Sequence, residues 1–132
     1  MNNMNTKKLV NSIRENDFAK YQEVRYHDDE IFDGETLIFR EENFANVDFA
    51  KFNLGFWWFE DCDLSGAKNF SGQPITFVNC NLSGADFCGV STVIKAENSD
   101  FRDVKFDNKT QIYASEFVNC KLDPDFAKVI NK

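Results

Sequence analysis

The chain has 132 residues, the length of a single domain, and carries 22 acidic against 15 basic side chains, for a formal net charge of −7 at pH 7. This charge argues against direct binding to nucleic acid or to an anionic membrane, and it favours either simple solubility or a basic protein partner. The N-terminal residues lead into no apolar segment, and no apolar run is long enough to span a bilayer. We therefore expect a soluble, cytoplasmic protein with no membrane contact.

Residues 1–36 are expected to form an N-terminal helical capping segment. Thr6 can cap a helix over residues 7–14, and Asn16 or Asp17 can cap a second turn. The apolar side chains of the two turns are Leu9, Val10, Ile13, Phe18, Tyr21 and Val24. Such short helices are marginal alone, so they are expected to pack on the structure that follows.

From Leu37 onward, one large residue recurs about every five positions. The expected centres of these units are Phe39, Phe44, Phe49, Leu54, Phe59, Leu64, Phe77, Leu82, Phe87, Phe101, Phe106, Ile112, Phe117 and Leu122. The residue two places before a centre is usually small or apolar, and a polar residue separates the two, as in Cys62-Asp63-Leu64. A period of five is neither helical nor that of an ordinary strand, so it predicts a stack of short repeated units.

Three stretches interrupt the period. We interpret residues 69–75 as an insertion around Phe70, and residues 92–99 as one or two degenerate units. A single extra residue separates Phe106 from Ile112. Short bulges at turns can absorb all three without disturbing the neighbouring units.

The repeated unit resembles that of the pentapeptide-repeat proteins over about residues 37–123. The units that match best are Cys62-Asp-Leu-Ser-Gly, Cys80-Asn-Leu-Ser-Gly, Ala85-Asp-Phe-Cys-Gly and Ser99-Asp-Phe-Arg-Asp. The resemblance implies an all-β fold, a right-handed quadrilateral β-helix of about four coils with one unit on each side. Glu42, Phe52 and Trp57 depart from the pattern, because each occupies the small inward position, and they put the regularity of the first coil or two in question.

The expected geometry assigns a place to every position of the unit. Each centre stacks on its equivalent one coil away, at about 4.8 Å, while the polar residue faces outward. Residues that tolerate unusual φ angles are expected at the corners, namely Asn46, Gly66, Asn79, Gly84, Gly89 and Asn119. Residues 124–132 are expected to form a C-terminal cap, with Asp123 and Pro124 starting a helical turn and Phe126, Val129 and Ile130 covering the last coil. The alternative is a homodimer through an end cap.

The sequence predicts no catalytic, metal or cofactor site. Cys62, Cys80 and Cys120 occupy small inward positions and need neither metal nor disulfide, while Cys88 should point outward. His27 is interpreted as a surface residue, and the acidic cluster at residues 28–35 as a solvated connection. No phosphate loop or nucleophile motif is present, and Asp61 and Asp63 are read as outward positions beside Cys62, so we expect no enzyme.

The partner-binding site is expected around the Phe56-Trp57-Trp58-Phe59 stretch. Trp58 should face outward and Phe56 should lie near a corner, beside the acidic side chains Glu60, Asp61 and Asp63. Aromatic residues surrounded by charge are typical of binding hot spots. The alternative is that the N-terminal segment covers these aromatic side chains.

Two classes of function follow. The first is a non-catalytic inhibitor that binds a basic protein, either an immunity-type protein that neutralises a toxin or, by resemblance to the quinolone-resistance pentapeptide proteins, a DNA mimic that protects topoisomerases such as gyrase. The mixed charges, including Lys51, Arg102 and Lys105, favour the immunity type. The second class is a passive scaffold that assembles through its ends.

Overall fold

The computed structural model describes residues 4–25, 32–33, 36–113 and 115–130. It is a parallel β-solenoid of about four turns with three short helices. The elements are α1 (Met4–Arg14), α2 (Phe18–Arg25), β1 (Phe32–Asp33), β2 (Thr36–Arg40), β3 (Trp57–Glu60), β4 (Ile75–Val78), β5 (Ser91–Thr92), β6 (Ile94–Glu97), β7 (Asp100–Phe101), β8 (Gln111–Ile112), β9 (Glu116–Val118), β10 (Lys121–Leu122) and α3 (Pro124–Val129). His27 and most of the acidic cluster lie outside the described residues.

The principal sheet runs through every coil. Its strand order is β1-β2-β3-β4-β6-β9, parallel throughout except for the antiparallel pairing of β1 with β2. Leu37 pairs with Trp57, Trp57 with Ile75, and Ile75 with Ile94, so successive coils contain 20, 18 and 19 residues. Lys95 pairs with Glu116, so the fourth coil contains 21 residues, and Glu116 begins the last coil. We call this the first ladder.

Three further ladders of parallel pairs run through the described part of the solenoid. The second aligns Asn43, Asp63, Asn81, Asp100 and Lys121. The third aligns Asp48, Lys68, Asp86 and Lys105. The fourth pairs β5 with β8 and ends where Ile130 pairs with Ile112. The two coils that begin at Ile75 and Ile94 contribute to all four ladders in turn, about five residues apart.

The centres fill the interior of the solenoid. In the first ladder the rings of Phe39 and Phe59 stack at 5.8 Å, and those of Phe59 and Phe77 at 5.5 Å. Every expected centre from Phe39 to Phe101 is buried, and so are Val47, Cys62, Ala67, Cys80 and Ala85 at the smaller inward position. The prediction of two inward residues in each unit is therefore confirmed in these coils.

The corners adopt left-handed backbone conformations. All six residues expected there have positive φ angles between 54° and 72°, namely Asn46, Gly66, Asn79, Gly84, Gly89 and Asn119. Asp61, Asn98 and Asp103 also have positive φ angles. Asparagine, aspartate and glycine bear this conformation at the lowest cost, which explains why they recur at unit ends.

The insertion predicted around Phe70 is wrong, because the second coil is two residues short rather than long. Lys68 pairs with both Asp48 and Asp86, so Asn69 falls where Phe49 and Phe87 stand in the neighbouring coils. Asn69 instead takes a φ of 61° and is exposed. Phe70 fills the interior in its place, with its ring 5.6 Å from that of Phe49 and 4.9 Å from that of Phe87.

Residues 92–99 do contain two degenerate units. Thr92 is fully buried in the fourth ladder, and its hydroxyl donates to the carbonyl oxygen of Gly72 at 2.6 Å. Ala96 aligns with Phe77 and Phe117 in the first ladder. The ring of Phe101 contacts those of Phe77, at 6.0 Å, and Phe117, at 5.2 Å, so a neighbouring side chain occupies the space that the alanine leaves.

Helices α1 and α2 cover the first coil. Leu9, Val10, Ile13, Tyr21 and Val24 are all buried. Asp17 caps α2 as predicted, since its Oδ1 accepts from the backbone N–H of Lys20 at 3.0 Å. Thr6 does not cap α1, because that helix already begins at Met4.

The three departures from the repeat do not disrupt the first coils. Trp57 pairs in regular register with Leu37 and Ile75. Phe52 lies under α2, with the Tyr21 ring edge-on at 5.0 Å. Glu42 is half-buried, and desolvation raises the pKa of its carboxyl although Lys7 and Arg14 of α1 oppose the rise. The first coil accepts Glu42 and Phe52 because helices, rather than another coil, pack against it. Trp57 begins the second coil, and its ring lies 5.9 Å from that of Tyr21 in α2.

Helix α3 covers part of the opposite end. Asp123 is its N-cap residue and Pro124 its first residue, as the sequence predicts. Phe126 is fully buried and Val129 and Ile130 pack against the core. None of the helices in the described part of the chain is long and apolar enough to cross a membrane.

Candidate functional site

Strand β3 turns Trp58 and Glu60 to the outside of the solenoid. Trp57 and Phe59 are buried, whereas Trp58 and Glu60 are half-buried, as alternation along a strand requires. Register places Trp58 between Ile38 and Thr76 of the adjacent coils. The outward orientation predicted for Trp58 therefore gives it neighbours from the two adjacent coils.

We call the outward side of the first ladder the Trp58 face. Its side chains are Ile38, Arg40, Trp58, Glu60, Thr76, Val78, Lys95, Glu97, Glu116 and Val118. A shallow hollow of about 200 Å³ lies on this face, and Trp58, Val78 and Val118 contribute apolar side chains to it. Val118 is 50% exposed. An aromatic side chain and two valines thus form an apolar patch with charged residues around it.

Glu60 is held in place by two neighbours. The indole Nε1 of Trp58 donates to Glu60 Oε1 at 3.2 Å, and Arg40 Nε donates to Oε2 at 3.3 Å. These bonds fix the orientation of the indole and neutralise the carboxylate. Glu97 and Glu116 differ, because neither forms an ion pair within the described part of the chain. Lys95 lies beside Glu116 in the register, so the C-terminal end of the Trp58 face carries two carboxylates and one lysine and has a net negative charge.

The other two acidic residues of the predicted site lie around the corner. Asp61 is exposed at the corner itself, with a φ of 56°. Asp63 belongs to the second ladder, and its Oδ1 accepts from the backbone N–H of Ser65 at 2.9 Å. The structure therefore places Glu60 beside Trp58, Asp61 at the edge of the Trp58 face and Asp63 on the next side.

Phe56 occupies a different surface from Trp58. It lies at a corner with a φ of 65° and is 49% exposed. It lines a cleft of about 560 Å³ between α2 and the solenoid, together with Phe18, Lys51 and Gln73. The N-terminal helices thus approach Phe56, whereas the hollow beside Trp58 is lined by strand residues alone.

Sequence reasoning missed Val78 and Val118. A signal was available, since both follow a central phenylalanine directly, at an outward position where most units carry a polar or small residue. Their alignment with Glu60 could not be predicted, because it depends on coils of 18, 19 and 21 residues.

The carboxylates of the units serve the backbone of their own turns. Asp48, Asp86 and Asp100 each accept from the N–H two residues later, at 2.9–3.0 Å. Hydrogen bonds to the charged form lower the pKa of all three, chiefly from Asn69 at Asp48, from the Cys88 N–H at Asp86 and from Arg102 at Asp100. Asn43, Asn53 and Asn81 make the same turn with a neutral amide. The role of these carboxylates is therefore to stabilise their turns, and no catalytic role is needed to explain their presence.

The cysteines are also explained by packing. The Cys80 thiol donates to the carbonyl oxygen of Phe59 at 3.2 Å, and the adjacent Cys62 thiol together with burial raises the pKa of Cys80. Cys88 is exposed, as predicted. Within the described residues, no group of three histidine, cysteine or acidic side chains could hold a metal ion.

Comparison of the sequence with known protein families found no match, and comparison with curated proteins found none either. The Trp58 face is therefore interpreted from its own geometry.

Proposed function

We propose that this protein is a cytoplasmic, non-catalytic binding module of the pentapeptide-repeat type, and that it acts as an inhibitor or immunity-type protein that neutralises a partner protein or toxin. The proposal includes a right-handed, four-sided winding of the coils. The four ladders formed by the two coils that begin at Ile75 and Ile94 support the four-sided form. The strong preference of parallel crossover connections for the right hand supports the winding.

The observation that carries the binding function is the composition of the Trp58 face. Most outward positions of the units are polar, yet here Trp58, Val78 and Val118 converge on one hollow. A tryptophan at the centre of an apolar patch, with charged residues outside it, is the usual anatomy of a protein-binding hot spot. A rigid solenoid also loses little conformational entropy when such a face is covered.

Charge supports a basic partner. The chain carries a net charge of −7, and Glu97 and Glu116 at the edge of the hollow are not in ion pairs among the described residues. Opposite charge on a partner would speed its approach, while the apolar centre would slow its release.

The outward charges of the third ladder favour this function over DNA mimicry. Asp48, Lys68, Asp86 and Lys105 alternate in sign along that ladder. A surface that imitates a phosphate backbone needs a continuous row of negative charge. The topoisomerase-protecting function therefore has less support than the immunity-type function.

The test is the binding kinetics of a basic protein that copurifies from the source cells, measured with both proteins purified. We expect Trp58→Ala to weaken the complex by about 2 kcal/mol or more, mainly through faster dissociation. Glu97→Lys with Glu116→Lys should mainly slow association, and the effect should shrink as salt is added. Asp61→Lys with Asp63→Lys measures how far the partner extends around the corner.

The matched control is Phe56→Ala, which removes an exposed aromatic side chain from the separate cleft. Normal binding by the Trp58 variant, together with a salt-independent association rate, would exclude this face as the binding site. A passive scaffold would instead show assembly of the protein with itself at the same concentrations, without any requirement for a partner.

A further inference from the structure

The last coil is incompletely covered along the first and second ladders. Phe117 and Leu122 occupy central positions there but are only partly buried, whereas the aligned centres of earlier coils, such as Phe77 and Leu82, are fully buried. The buried ring of α3, that of Phe126, contacts the rings of Phe87, Phe101 and Phe106. Its aromatic contacts therefore do not include Phe117.

The backbone of these two centres also faces away from the solenoid. In earlier coils a centre donates its N–H to the next coil, as Leu82 does to the carbonyl oxygen of Asp100 at 2.8 Å. The N–H of Asn98 donates to the carbonyl oxygen of Val118, and the N–H of Lys121 donates to that of Ser99, so Val118 and Lys121 face the preceding coil. Successive residues of a parallel strand alternate in direction, so the backbone groups of the adjacent Phe117 and Leu122 point the other way. Within residues 115–130 no backbone group pairs with either of them. The fourth ladder differs, because Ile130 pairs with Ile112.

An open strand edge above a partly exposed core is suited to accept an additional strand. The register of the first ladder specifies what that strand should carry. A residue over Phe117 should be large and apolar, and a residue beside the exposed Val118 should be β-branched. A residue beside Glu116 should be basic, because it would continue the alternation of charge that Lys95 and Glu116 begin in this ladder.

We propose that β9 is a strand-addition site for an extended basic–apolar–apolar segment of another protein. A second copy of β9 would bring its own Glu-Phe-Val sequence, which has no basic side chain to place beside Glu116, so a basic segment is favoured over self-association. The inference is independent of the proposed function, although Glu116 and Val118 also border the Trp58 face.

The test uses a capped peptide containing Lys-Phe-Val in an otherwise Gly, Ser and Asn sequence, observed by amide NMR on the intact protein. Binding should slow hydrogen exchange at the Phe117 amide while leaving that of Phe77 unchanged. Glu116→Lys should weaken binding at least about tenfold, and a peptide with Glu in place of Lys should restore it. This charge exchange distinguishes register-specific pairing from general attraction.

Two matched controls separate this site from the Trp58 face. Glu97→Lys reverses a charge one coil earlier and should change affinity less than Glu116→Lys does. Trp58→Ala should leave peptide binding intact, whereas loss of binding in that variant would assign the peptide to the Trp58 face and overturn the proposal. Absence of peptide binding would also overturn it, as would a dimer in which the Phe117 amide is already protected.

Discussion

The two ends of the solenoid are covered in different ways. At the N-terminal end two helices bury five apolar side chains over the first coil, and β1 pairs with the edge of β2. At the C-terminal end, α3 is six residues long and buries one ring completely, that of Phe126. Helices α1 and α2 contact the first coil through several side chains, and large residues such as Phe52 fit beneath them. Helix α3 is held mainly by one ring, so the outer parts of the last coil stay partly exposed.

The largest expected effect on stability comes from removing the Phe126 ring. Phe126→Ala should lower the free energy of unfolding by about 3–5 kcal/mol, because the ring contacts three core phenylalanines and nothing else in α3 is fully buried. Chemical denaturation measures the change. Phe56→Ala is the control, and its effect should stay within about 0.5 kcal/mol. Equal losses in the two variants would mean that α3 is not held by Phe126.

A second prediction compares the same residue type at two levels of one ladder. Leu82 is fully buried and Leu122 partly buried, both at central positions of the second ladder. Leu82→Ala should cost about 2–5 kcal/mol, and Leu122→Ala only about 1 kcal/mol. Denaturation curves of the two variants decide this. If Leu122→Ala were as costly as Leu82→Ala, the C-terminal end would be as well covered as the interior.

Thiol labelling sharpens the comparison without changing stability. Cys80 and Cys120 share the small inward position of the second ladder, but Cys80 is buried and Cys120 is half-buried. We expect Cys120 to react in the native protein at least about tenfold faster than Cys80, because accessibility and local opening control the rate. Peptide mass spectrometry of the labelled wild-type protein measures the rate at each cysteine. Exposed Cys88 sets the upper limit, and similar slow rates at Cys80 and Cys120 would contradict an open end.

The smallest expected effect concerns acid stability. The Cys88 N–H lowers the pKa of Asp86 below its ordinary 3.8, so the charged form stabilises the fold at neutral pH and this contribution is lost as the pH falls through the folded-state pKa. Asp86→Asn should keep the turn, as Asn81 does, and flatten the dependence. Solvent screening keeps the difference below about 1 kcal/mol. Unfolding free energies of both proteins at neutral pH and near pH 3 test this, and parallel curves would show that Asp86 does not contribute.

Much of this fold could be predicted from sequence because the interior has room for one large side chain per unit. That steric limit is local, so the centres from Phe39 to Leu64 follow directly from spacing. The length of each corner cannot be predicted from nearby sequence, because it depends on how the strands align with those of the neighbouring coils. For this reason Phe70, which replaces Asn69 in the interior, looked like part of an insertion when the coil is in fact short.

The candidate site could be predicted only in part for the same reason. Alternation within one strand is enough to place Trp58 and Glu60 on the outside. The apolar neighbours Val78 and Val118 come from other coils. An error of one residue in a predicted coil length would place their side chains on the inner face instead of the outer face. The neighbours of the Glu116 carboxylate likewise depend on the coil lengths.

The near-constant separation of paired residues has a consequence for how the chain folds. Ladder partners lie 18–21 residues apart in every coil, so each coil closes a loop of about the same length and pairs only with its immediate neighbours. Such a chain is expected to fold sequentially, with each new coil forming on the one already in place. Two helices cover the N-terminal end, whereas only a short helix covers the C-terminal end. We therefore expect local unfolding to begin at the C-terminal coil and to progress toward the N-terminal end.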